Sequence, residues 1–67
     1  MWTVVYISPN KTAAQQLKTL LSREGLLVML RPAGIPPHLG DSGPVEVLVL
    51  ESEAEEAHEI INSKLMV

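Results

Sequence analysis

Cysteine is absent from this 67-residue chain, which excludes a disulfide framework and removes the commonest ligand of structural zinc sites. A fold of this size buries only about 60% of the surface its unfolded chain exposes, so its core is marginal and oligomerisation is the natural supplement. Basic residues are scarce too: Lys and Arg total five against eight Asp and Glu, a formal charge of −3. Such a balance argues against a nucleic-acid partner, because phosphate binding requires a clustered basic surface. Long apolar runs are also missing. None approaches the roughly 20 residues of a membrane span, so no membrane partner is expected. Met1 leads directly into the apolar run 4–7, without a basic n-region, a long h-region or a small-residue cleavage site, and this start reads as a strand. With no cysteine and no leader, the expected compartment is the cytoplasm. The chain has no internal repeat and no low-complexity tract, and residues 1–67 read as one domain.

What is present is a regular succession of elements. Residues 2–7 are β-branched and aromatic, which favours a strand, and Ser8-Pro9-Asn10 ends it with turn chemistry. Asn10 can cap a helix over 11–24, in which Ala13, Ala14, Leu17, Leu20 and Leu21 form one apolar stripe. Gly25 supplies its left-handed stop. Residues 26–30 are an apolar run of strand length, closed by Arg31-Pro32 because proline cannot donate to a ladder. Residues 33–43 are rich in Gly and Pro and read as a long loop. A Val/Leu strand follows at 44–50. Ser52-Glu53-Ala54-Glu55 then has the form of a capping box before a helix containing Ala54, Ala57, Ile60, Ile61 and Leu65. The expected fold is α+β, of order β-α-β-β-α. A right-handed crossover makes the first two strands parallel, and the third fits between them in sheet order 1-3-2 with both helices on one face. This is a ferredoxin-like plait without its fourth strand.

Val5-Tyr6, Pro9-Asn10, Ala14, Leu17, Leu20-Leu21, Glu24-Gly25-Leu26 and Val47-Leu48-Val49, followed by a Glu/Ala-rich helix, together give a pattern spanning nearly the whole chain. In these spaced hydrophobics and turns the chain resembles the family of small signal-transducing proteins whose mechanism is unknown. The resemblance implies the same β-α-β-β-α fold and a regulatory or sensing role, and it supplies no catalytic residue.

Motifs with chemical meaning are incomplete. Glu55 and His58 make an E-x-x-H pair, but a di-iron site needs a second such pair and further Glu-bearing helices. His58-Glu59 starts an H-E-x-x-H pattern whose second ligand position is Asn62, a poor zinc ligand. No metal or other cofactor is implied. His38, Asp41 and Glu46 surround the long loop, and Ser42 would complete a Ser/His/Asp set on paper, yet no rigid element orients them. The expectation is therefore that the chain is not an enzyme. Asn10 and Lys11 stand at a helix N-terminus, where free amides and the dipole favour an anion, and Arg31 and His38 are the further candidates for an anionic ligand. Lys11, Lys18 and Arg23 mark the first helix as basic, whereas Glu51, Glu53, Glu55, Glu56 and Glu59 make the start of the second acidic. Two solvated helix faces attracting each other over a short distance account for this better than an acidic recognition surface.

The most informative feature is the failure of the strands to alternate. A sheet with helices on one face should present polar residues on the other. If Val5, Ile7, Val28, Leu30, Val47 and Val49 face the helices, Trp2, Val4, Tyr6, Leu27, Met29, Leu48 and Leu50 face outward, and the opposite phase is equally apolar. The outward residues other than Leu50 are the six candidate interface residues. The expected function is a non-enzymatic interaction or regulatory module, a homodimer or a binder of a partner protein, acting through this face and the exposed sheet edge. The alternative is a sensor that closes loop 33–43 over a small anionic metabolite near Lys11 or Arg31.

Overall fold

In a computed structural model, described for residues 1–33 and 43–65, the order is β1 (Trp2–Ser8), α1 (Lys11–Arg23), β2 (Val28–Pro32), β3 (Val45–Leu50), a 3₁₀ turn (Glu51–Glu53) and α2 (Ala54–Leu65). β3 is central and antiparallel to both neighbours, giving sheet order β1-β3-β2. Both helices lie on one face. There Ala14 and Leu21 of α1 and Ala57 and Ile61 of α2 pack with Val47 and Val49 of β3 and with Leu26. This is the expected α+β arrangement of ferredoxin-like type.

Local chemistry explains the boundaries. Asn10 is extended (φ −155°, ψ 174°), and its Oδ1 accepts from the Ala13 N–H at 2.8 Å, satisfying one orphan amide of α1. At the other end Gly25 has φ +91°, its N–H donates to the Ser22 carbonyl at 3.0 Å, and the Leu26 N–H reaches back to the Leu21 carbonyl at 3.3 Å. Those two bonds form a Schellman motif, and the two leucines they join are both core residues. Leu26 thus belongs to the helix stop, and β2 starts two residues later than the apolar run suggests. β2 also continues through Pro32, because an edge strand leaves one side of its backbone unpaired and tolerates a missing N–H.

Two further expectations change. The capping box at Ser52 does not form: a 3₁₀ turn occupies Glu51–Glu53, with Leu50 at its start and no side-chain cap. Glu53 instead accepts from the Leu27 N–H at 3.3 Å, tying the entry of β2 to the entry of α2. In β1 the pairing steps from Val4↔Leu48 to Tyr6↔Val47, so Val5 is an extra residue, a β-bulge. The bulge reverses the alternation within one strand. Loop 33–43 lies, for residues 34–42, outside the described residues.

Candidate functional site

The ladder assigns every strand residue to a face, because residues paired across strands share one. Val47 and Val49 face the helices, and so do their partners Tyr6 and Leu30, Thr3 and Val28. The open face therefore holds Trp2, Val4 and Ile7 from β1, Met29 and Arg31 from β2, and Glu46, Leu48 and Leu50 from β3. Leu48 sits at its centre between Val4 and Met29 and is only 2% exposed, whereas Trp2 and Val4 remain about two-fifths exposed and Ile7 is 58% exposed.

The two charges of this face neutralise each other. Arg31 and Glu46 are direct cross-strand partners, and both Nε and Nη2 of Arg31 approach Oε1 of Glu46 at 2.7 Å. With the guanidinium about half exposed, the pair contributes at most about 1 kcal/mol. Its larger consequence is that the face presents an apolar field with a balanced ion pair at one end.

Of the six residues expected at the interface, Trp2, Val4, Met29 and Leu48 share this face. Leu27 lies one residue before β2 at the same sheet and is 60% exposed. Tyr6 does not belong there: the bulge at Val5 turns it towards the helices, where it packs on the core, and puts Ile7 on the open face in its place. No sequence signal distinguishes a bulge inside a uniformly β-branched run, which is why Ile7 escapes a reading by strict alternation.

Of the expected anion ligands, the described ones, Asn10, Lys11 and Arg31, do not form one site. Asn10 uses its side-chain oxygen as the cap of α1, and Lys11 is exposed on the first turn. Arg31 lies on the reverse face of the sheet, held by Glu46. His38 falls outside the described residues, as do Asp41 and Ser42. The basic and acidic helix surfaces do not pair either, since Arg31–Glu46 is the salt bridge formed among the described residues. No group of three His, Cys, Asp or Glu side chains among the described residues is placed to hold a metal ion. No described helix is long and apolar enough to cross a membrane.

The helix layer contains one polar anomaly. Ser8 is wholly buried, and its Oγ has no hydrogen-bond partner among the described residues. Such a hydroxyl costs about 1–3 kcal/mol when left unsatisfied. Ser8 and Tyr6 border a groove between α1 and α2, walled by Leu17 and Ile61 and flanked by Arg23 and Lys64. No family model, curated protein or solved structure matches the chain.

Proposed function

We propose that the protein is a cytoplasmic, non-enzymatic interaction or regulatory module that self-associates through the open face of its sheet. The observation that supports this reading is the face itself, in which Trp2, Val4, Ile7, Met29, Leu48 and Leu50 form an apolar field with a single neutralised ion pair at one end. A contiguous apolar patch of this kind on a small domain marks an interaction surface, and scattered surface hydrophobics do not produce one. The role of module in a regulatory system also agrees with the resemblance to small signal-transducing proteins.

The face, and not the edge, is the docking element. Each outer strand carries a device that discourages pairing with another chain: Pro32 interrupts the donor row of β2, and the bulge at Val5 distorts β1. Magnitude then fixes the strength of the association. Three strands at about 4.8 Å spacing and about 20 Å in length project roughly 300 Å², and side-chain relief raises the accessible area by no more than a few-fold. That is at or below the about 800 Å² per partner of a standard stable interface, so the association is reversible and concentration-dependent.

Ile7→Lys tests it. Ile7 is exposed in the monomer and stands beside Glu46, so a lysine there is tolerated by the fold and adds a charge to the patch. Sedimentation velocity across a concentration series should show dimer for the unchanged protein and monomer for the variant, with the circular dichroism of both alike. Leu48→Lys is less informative, because Leu48 is buried even in the monomer and its replacement tests the fold as well as the dimer. A protein that stays monomeric at millimolar concentration would rule the proposal out.

A further inference from the structure

We infer that, in the self-association proposed above and resting on it, the two copies pair with their strands pointing the same way, so that the Arg31–Glu46 ion pair of one lies against that of the other. The ladder arranges the open face as three rows across the strands. Trp2 and Leu50 form the first, continued towards β2 by the exposed Leu27; the second is centred on Leu48; Ile7, Glu46 and Arg31 form the third. The side-chain charge of the face is confined to this third row, where it makes a dipole directed across the strands, negative on β3 and positive on β2. Both Nε and Nη2 of Arg31 fall on Oε1 of Glu46, which leaves Oε2 to a second donor.

A two-fold dimer of face-to-face sheets has its axis in the plane of the interface, and aligned packing, with strands within about 30° of each other, leaves two choices. With the axis across the strands the rows reverse. The third row of each copy is then covered by the first row of the other, Glu46 by the partner's Leu50 and Arg31 by the partner's Leu27, so each ion pair loses water and gains no polar contact. With the axis along β3 the rows stay and the outer strands exchange: Trp2 meets the partner's Leu27, Leu50 meets the partner's Leu50, and the two ion pairs stack with their dipoles reversed. Antiparallel dipoles attract. The partner's Arg31 comes to lie over Ile7, about 4.8 Å to the side of Glu46, with donors for Oε2. Because the apolar area is small, this electrostatic difference decides the orientation.

The test is an isotope-filtered NOE experiment on a mixed dimer of labelled and unlabelled full chain. Contacts of the Trp2 ring with the partner's Leu27 methyls are expected; contacts with the partner's Ile7 methyls in their place would overturn the proposal. A charge exchange followed by sedimentation gives an independent readout. Arg31→Glu makes the third row wholly acidic and Glu46→Arg makes it wholly basic. Each alone should weaken the dimer by about tenfold, the value of one charge-assisted hydrogen bond. An equimolar mixture should regain the unchanged protein's affinity to within about threefold, since the acidic row of one copy meets the basic row of the other. In the reversed dimer those rows stand more than about 13 Å apart, beyond the reach of exposed charges at physiological salt, and mixing restores nothing. A mixture that fails to recover, with both variants folded by circular dichroism, would overturn the orientation and leave self-association intact. A monomeric unchanged protein would overturn both.

Discussion

Gly25 shows how much one residue decides. Its φ of +91° lies in the left-handed region, and a β-carbon built there meets nothing within 4 Å. Replacement by alanine therefore carries a backbone cost alone, with no steric one, and should lower stability by about 1 kcal/mol. At this chain length that corresponds to a fall in Tm of about 4–8 °C. Gly25→Asn should lose less, because asparagine tolerates the left-handed region better than alanine does. Urea denaturation of the two variants at one fixed protein concentration checks the order. Equal stability of Gly25→Ala and the unchanged protein would mean that the Schellman bonds of Leu26 and Gly25 are not what ends α1. Val5 acts in the opposite manner: nothing in its chemistry requires a bulge, yet the extra residue moves Tyr6 into the core and Ile7 out of it.

Among the elements, β2 is the most exposed to misassociation, being a short edge strand. Pro32 lies within it, paired with Val45, and the Ala33 N–H still reaches the Pro44 carbonyl at 3.0 Å. Proline thus leaves the inner ladder intact while removing a donor from the strand. Pro32→Val restores that donor and adds β propensity, so it should raise the rate of light scattering on heating without changing the secondary structure of the cold protein. An unchanged rate would show that Pro32 does not guard the edge. α2 depends on neighbours more than on its own cap: it starts from a 3₁₀ turn, and the carboxylate of Glu53 is engaged with the Leu27 amide instead of with its own helix. Its fully buried Ala57, like Ala14 in α1, leaves room for the close approach of helix to sheet.

At the scale of the molecule, the shortest principal extent is 16 Å, which accommodates one sheet and one helix layer. With a second apolar sheet face and only two layers, the chain can gain further burial by covering that face with another copy. Binding that favours the folded state raises its apparent stability by mass action. Calorimetry should accordingly show a Tm that rises between about 10 μM and about 1 mM protein, and Ile7→Lys should abolish the dependence. A concentration-independent Tm for the unchanged chain would contradict self-association. In the proposed self-association, burial of the face would outweigh the surface charges: at about 25 cal/mol per Å² a few partly exposed side chains such as Trp2 and Ile7 exceed the contribution of an exposed ion pair, although association entropy removes much of the gain.

The sequence by itself determined the elements and their order, because apolar spacing, the Asn10 cap and the Gly25 stop are local and act within a few residues. It also determined the sheet order, since a right-handed crossover and an apolar third strand leave one economical arrangement. Which apolar residues face outward was decided only in the tertiary structure. The strands are apolar in both phases, so their pattern does not select a face, and one bulge then exchanges Tyr6 for Ile7. The fate of Arg31 was likewise settled by register: a ligand candidate in sequence becomes the partner of Glu46 because the ladder places them side by side. The groove flanked by Arg23 and Lys64 had no sequence signature at all, for it is formed where two helices distant in the chain meet over β1.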